Sequence, residues 1–236
     1  MRLYFNGCSH TYGDDLENPK QDARPAVIAK KKNCDFVNFS TSGGTNDLIK
    51  YQTVKYANDF DKFYIAWTYT SRFTRYRADN NHQVNFNPNL IHSMYSKDPD
   101  FKIYGKLHYK VWHNELHVFK TWLQDVILIQ RFLENLKKSY IMISTDNNLI
   151  ERWTVDWPNF NSSVKSLLCF DSMDDKQLMS EHQEIQRLLT QIDFSKYIGF
   201  NTWWLTIMLS QYPVGPTRHL LEEGHLATAE YILKYD

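Results

Sequence analysis

The chain has 236 residues, 42% of them hydrophobic, which is enough for one sizeable core, and its 27 basic and 27 acidic side chains give a formal net charge of zero. That balance argues against a general nucleic-acid or anionic-membrane binder, which needs a basic excess. Cys8, Cys34 and Cys169 are too few and too widely spaced for a disulfide framework or a zinc knuckle, and no apolar run approaches the roughly 20 residues of a membrane span. With no signal-peptide pattern at the start, the expectation is a soluble, cytoplasmic protein with no cofactor and no bound metal.

Five short apolar runs read as strands: Arg2–Asn6, Asp35–Phe39, Lys62–Trp67, Tyr140–Ser144 and Tyr197–Phe200. Helical patterns lie between and after them. Asn46–Ala57 places Leu48, Ile49, Val54 and Ala57 on one face, Lys110–Lys137 is longer, and Leu221–Lys234 closes the chain. Strand–helix alternation of this kind predicts a three-layer α/β/α sandwich around a mainly parallel sheet, in which ligands bind beyond the carboxyl ends of the strands. Residues 1–236 are read as a single domain. Arg75–Lys106, polar and rich in Asn, Pro and Tyr, reads as an insertion after the third strand, where a lid would sit. Asp146–Gln177 is similarly irregular.

The chemistry-bearing residues cluster at two ends of the chain. Ser9 follows the first strand in Gly7-Cys8-Ser9-His10-Thr11; it is read either as a nucleophile exposed on a tight turn or as a helix N-cap. His219 stands in a loop after Pro213, Gly215 and Pro216, as a general base or as an exposed loop histidine. Arg72, just past the third strand, is read as a contact for an acidic substrate group or as part of a structural ion pair. Trp67, Tyr69, Phe73 and Tyr76, interleaved with Arg72, Arg75 and Arg77, suit sugar or base stacking, or core and lid packing. His113 and His117 have the i, i+4 spacing of metal ligands but no third ligand in view. Lys30-Lys31-Lys32 reads as a solvated turn, and Cys8 as a small buried filler.

Taken together, Gly7-Cys8-Ser9-His10-Thr11, Asn38-Phe39-Ser40-Thr41-Ser42-Gly43-Gly44-Thr45-Asn46 and His219-Leu220-Leu221-Glu222-Glu223-Gly224-His225 resemble the first, second and last blocks of the SGNH, or GDSL-type, hydrolases. The resemblance is most similar to small divergent members encoded by phages and viruses. It implies a flavodoxin-like sheet, Ser9 as nucleophile and His219 as base. It further implies an oxyanion hole from the backbone N–H groups of Ser9 and Gly43, with Asn46 or Thr68 adding a donor. His10, Arg72 and Trp67 become candidate substrate contacts. Two positions depart from the pattern. Pro216 and Thr217 stand where the family carries the Asp that orients the histidine, and the third block has no Asn. Asp14, Asp15, Asp47 and Glu222 are the candidate replacement carboxylates.

The implied activity is serine-dependent hydrolysis of an acyl or acetyl ester, a carbohydrate O-acetyl group included, with a small-molecule or carbohydrate ester as partner and neither nucleic acid nor membrane. A glycan- or acyl-binding protein that has lost turnover, and an assembly component, are the alternatives from other classes.

Overall fold

The structure is a computed structural model that describes residues 1–76, 83–88, 99–145, 154–160, 173–200 and 204–236. Strands β1 (Arg2–Asn6), β2 (Asp35–Asn38), β3 (Lys62–Trp67), β6 (Ser139–Ser144) and β7 (Tyr197–Ile198) form a five-stranded sheet in the order β2-β1-β3-β6-β7. Every pairing in it is parallel. The central strands read as nearly continuous apolar runs because both faces of the sheet are covered. Alternate side chains divide between two cores, as the period of two demands. Tyr4, Phe63, Ile65, Trp67, Tyr140 and Met142 face one core, and Leu3, Phe5, Tyr64, Ala66, Ile141 and Ile143 face the other.

Helices α4 (Asn46–Lys55), α6 (Glu115–Asn135) and α7 (Asp175–Leu189) cover the first face through Ile49, Phe119, Leu123, Val126, Leu178 and Ile185. Helices α3 (Arg24–Lys32), α8 (Trp204–Gln211) and α9 (Glu222–Leu233) cover the second through Ile28, Trp204, Leu205, Ala229 and Ile232. The result is a three-layer α/β/α sandwich with a flavodoxin-like strand order. Its direction of winding reverses between β1 and β3, so a crevice opens beyond the carboxyl ends of these two strands. Two short helices, α1 (Ser9–Tyr12) and α2 (Pro19–Asp22), connect β1 to α3. Among the described residues no helix is long and apolar enough to cross a membrane.

Several boundaries differ from the sequence reading. The long helix starts at Glu115, because Asn114 adopts an extended backbone and its side chain accepts the His117 N–H; a π-helical turn, His108–Trp112, precedes it. Lys30, Lys31 and Lys32 are not a solvated turn. They form the last turn of α3, where cations meet the negative end of the helix dipole, and Asn33 ends the helix at φ 51°. The fifth strand stops at Ile198, since Gly199 turns the chain at φ 68°.

After β3 the chain forms an antiparallel hairpin, β4 (Phe73–Tyr76) with β5 (Gln83–Phe86), and then α5 (Pro99–Leu107). Aromatic stacking holds this unit: Phe73 on Phe86 at 4.6 Å, Phe86 on Phe101 at 4.4 Å and Phe73 on His108 at 3.9 Å between ring centroids. Of the expected insertion, residues 77–82 and 89–98 lie outside the described residues, as do Cys169 and most of the irregular stretch from Asp146.

Candidate active site

The crevice beyond β1 is built from three loops. In the first, Asn6 is wholly buried: its Oδ1 accepts the Gly7 N–H at 2.8 Å, and its Nδ2 donates to the Tyr4 hydroxyl at 2.7 Å and to Gln52 Oε1 at 2.9 Å. That turn delivers Ser9 to the first position of α1 with 5% of its surface exposed. Cys8 is fully buried beneath it, as a small filler. Ser9 is the first residue inside the helix and not its N-cap; that position is Cys8. The Ser9 N–H and hydroxyl have no hydrogen-bond partner among the described residues.

The second loop follows β2. Asn38 donates from Nδ2 to the Thr11 carbonyl at 3.3 Å and accepts the Ser40 N–H at 3.1 Å, fastening this loop to α1. Gly44 lies so close to the first loop that a Cβ would stand 2.7 Å from the Gly7 carbonyl oxygen and 3.3 Å from Cys8 Cα. Its N–H donates to Thr41 O at 3.0 Å. The preceding Gly43, at φ 70°, faces open space, and its N–H has no partner among the described residues. Two unsatisfied backbone donors, from Ser9 and Gly43, therefore sit on adjacent loops.

The third loop presents His219. Leu221 N–H to Pro213 O at 3.1 Å, Gly215 N–H to His219 O at 2.8 Å and a Val214–Leu220 bridge close it into a tight turn. Asp15, at φ 72° just after α1, grips that turn from the opposite end of the sequence. Its Oδ2 accepts the Thr217 N–H at 2.9 Å and the His219 N–H at 3.3 Å, while Oδ1 accepts the Thr217 hydroxyl at 2.8 Å. Thr217 Oγ1 also lies 2.8 Å from His219 Nδ1, and Asp15 Oδ2 is 3.7 Å from that nitrogen. Because the Thr217 proton is given to Asp15, Thr217 Oγ1 accepts from Nδ1–H of the imidazole. The proton on Nδ1 leaves Nε2 as the acceptor.

The sequence reading assigns Thr217 no orienting role; in the structure its hydroxyl lies between the Asp15 carboxylate and His219 Nδ1. Of the four candidate carboxylates only Asp15 reaches His219. Asp14 accepts from Ser42 Oγ at 2.6 Å, Asp47 accepts the Thr74 N–H at 3.2 Å, and Glu222 lies in the first turn of α9. Burial raises the Asp15 carboxyl, but the hydrogen bonds from Thr217 and His219 outweigh it and hold the group below its ordinary range.

His10, next to Ser9, packs its ring 4.5 Å from that of His219, which places His219 over the start of α1. No hydrogen bond joins Ser9 Oγ to His219 among the described residues, and such bonds commonly tighten only in a substrate complex. Burial, with His219, Arg24 and Arg72 nearby, pushes the His10 imidazole well down. His225, 1% exposed, accepts the Arg24 N–H on Nδ1 at 3.1 Å and is pushed down to about 3 by burial, Arg24 and His219. Arg24 is itself buried against Thr11 and Trp204, and burial lowers it to about 10.

Both histidines are therefore neutral in the fold and protonated in the unfolded chain once the pH falls below their ordinary value near 6.5. Unfolding then takes up protons, so stability is full above that pH and falls on acidification toward the lowered values. His225, lowered to about 3, alone removes about 1.3 kcal/mol between pH 5.5 and 4.5, and His10 adds to the loss in the same direction. Urea unfolding at these two pH values reads the loss directly, and equal free energies would show the two imidazoles to be protonated in the folded state.

The remaining predicted residues fall in two groups. Asn46 is committed to the backbone of Thr68, with Nδ2 donating to its carbonyl at 3.0 Å and Oδ1 accepting its N–H at 2.8 Å. Thr68 Oγ1 accepts from Arg72 Nη1 at 3.3 Å. The pair is a brace across the crevice between α4 and β3, which competes with any role as oxyanion donor. Trp67 does not line the crevice: it is wholly buried in the core, with Nε1 directed at Met142 Sδ at 3.3 Å, and offers a substrate no surface. Arg72 stays at the crevice edge over the Tyr69 ring at 4.7 Å. Among the described residues no group of three His, Cys, Asp or Glu side chains could hold a metal ion.

No protein-family model matches the chain, and no curated protein matches it. Among solved structures, 36 chains match. A member of the lipolytic G-D-S-L family from Veillonella parvula is 14% identical, with 99% of this chain and 97% of that one covered at a TM-score of 0.46. A putative lipolytic protein of the same family from Desulfitobacterium hafniense is 13% identical, with 100% and 99% covered at 0.45. A psychrotrophic esterase from Pseudoalteromonas is 8% identical, with 99% and 96% covered at 0.46. These are distant likenesses, and the chemistry of the crevice rests on its own geometry.

Proposed function

We propose that the chain is a serine-dependent ester hydrolase of the SGNH type. The reading is carried by the Asp15–Thr217–His219 chain, which supplies an orienting carboxylate from one of the four candidate positions and holds the imidazole over the helix that begins with Ser9. In this reading Ser9 Oγ attacks the ester carbonyl carbon while His219 Nε2 takes its proton. The imidazolium is steadied through Nδ1–H on Thr217 Oγ1 and by the charge of Asp15. The Ser9 and Gly43 N–H groups receive the oxyanion, and Asn46 and Thr68 hold the crevice floor. His219 returns the proton to the leaving alcohol. Water then repeats the sequence on the acyl-serine and releases the acid.

The substrate class is a small acyl or acetyl ester, including acetyl groups on a carbohydrate, and no cofactor takes part. A binding protein without turnover is motivated by the missing Asp before His219 and the missing Asn of the third block; Asp15 answers the first of these. A panel of aryl and sugar acetates, read by acid release with Ser9→Ala protein as the blank, tests the proposal. Release above the blank is expected, and rates equal to the blank on every ester would overturn it.

Gly215 gives a sharper test of the Asp15 contact. A Cβ there would lie 2.4 Å from Asp15 Cβ and 2.6 Å from its Cγ, so alanine must push the carboxylate off the loop. Gly215→Ala is therefore expected to lower kcat, and Asp15→Asn added to it to cost little more, since both remove one contact. Fully additive losses in a double-variant cycle would mean that Gly215 acts independently of Asp15.

A further inference from the structure

We propose that a cavity at the edge of the crevice is a subsite for a carboxylate carried on a ring of the substrate's alcohol portion, as in an O-acylated acidic sugar; the assignment of substrate rests on the hydrolase reading above. The cavity, about 290 Å³, lies between the start of α4, the β3–β4 connection, the π-helical turn and the start of α6. Asn46, Arg72, Arg75, His108 and Trp112 are among its lining residues. Arg72 links it to the loop of the oxyanion donors, since its Nη1 lies 3.5 Å from the carbonyl oxygen of Gly44, the neighbour of Gly43.

The two arginines are the basis of the inference. Arg72 is held by neutral oxygens and by the Tyr69 ring. Arg75 donates to Thr74 O at 2.8 Å and stands over the Phe73 ring at 5.0 Å. Neither pairs with a carboxylate among the described residues. The carboxylates of the cavity are otherwise engaged. Asp125 is held by both Lys50 contacts, at 2.7 and 2.9 Å, and Asp47 accepts the Thr74 N–H. Two guanidinium groups that line one cavity are each suited to bidentate binding of a planar carboxylate. Burial, His113 and Arg75 push the His108 imidazole down, so that ring adds a neutral aromatic surface.

The exposed aromatic lining suits a ring. Trp112 is 73% exposed, and it borders both this cavity and an adjoining one of about 300 Å³ lined also by Tyr104 and Leu107. An exposed indole face beside a cationic wall fits a sugar ring that carries an acid.

The test compares acetylated galacturonic acid with its methyl ester in low salt. Wild type is expected to favour the acid by roughly 10- to 100-fold in kcat/KM, as charge-assisted hydrogen bonds allow. That ratio is expected to collapse toward one in Arg75→Gln, and to shrink at high salt in wild type. Binding of galacturonic acid and of its methyl ester to Ser9→Ala protein, followed by NMR titration, reads the subsite without turnover. No preference for the acid in either experiment overturns the subsite, even where neutral esters are hydrolysed. Preferential binding that Arg75→Gln abolishes, in a protein that hydrolyses nothing, keeps the subsite and overturns the hydrolase reading.

Discussion

Ser9→Ala is expected to lower kcat for ester hydrolysis by roughly 10⁶-fold, His219→Ala by a similar factor, and the double variant scarcely further, because nucleophile and base act as one unit. What remains is the contribution of binding and of the oxyanion donors. The loss is expected without loss of fold. Ser9 Oγ has no hydrogen-bond partner among the described residues, so alanine strands no buried group and opens no cavity of consequence. Steady-state rates and thermal melting of the same preparations check both halves. A Ser9→Ala protein with its turnover intact would place the chemistry elsewhere.

Asp15→Asn is expected to cost up to about 10⁴ in kcat with little change in KM, the scale seen when the orienting carboxylate of a serine triad becomes an amide. The reason is the tautomer. The asparagine oxygen is needed by the two backbone donors, Thr217 N–H and His219 N–H, which now meet at Oδ2. That arrangement turns an amide N–H toward Thr217 Oγ1, which must then accept there and donate to His219 Nδ1. The imidazole proton is driven to Nε2, the atom that should receive the proton of Ser9. Thr217→Val removes the relay without supplying a wrong proton, and Asp15 stays 3.7 Å from Nδ1. Its loss is therefore expected to be smaller, and Thr217→Ser to recover it. Equal kcat in Asp15→Asn and wild type would contradict the relay.

How far the sequence could be read depended on whether a signal was local. The central strands of the sheet were legible because burial on both faces makes them nearly unbroken apolar runs; Lys62–Trp67 is one such strand, while the edge strand Asp35–Asn38 is only partly buried. Helix α7 was missed although its capping box, Asp174 with Gln177, and the spacing of Leu178, Ile185 and Leu188 were available in the sequence. Ser9 could be singled out because it follows a strand on a turn eased by Gly7, and Gly43 because its segment resembles the second block of the family. Asp15 could only be one of four carboxylates, since its partner lies about 200 positions away and a missing Cβ at Gly215 makes the contact fit. Trp67 misled for the opposite reason. It ends the third strand beside the crevice, but the strand's alternation turns it into the core.

The measurement that bears most directly on the Ser9–His219–Thr217–Asp15 assembly is labelling with a fluorophosphonate, read by intact mass and peptide mapping. One adduct on Ser9 is predicted in the wild type, absent from Ser9→Ala and from His219→Ala and slowed in Asp15→Asn. No adduct in demonstrably folded wild-type protein, or an adduct on Ser9 that forms equally fast without His219, would contradict it.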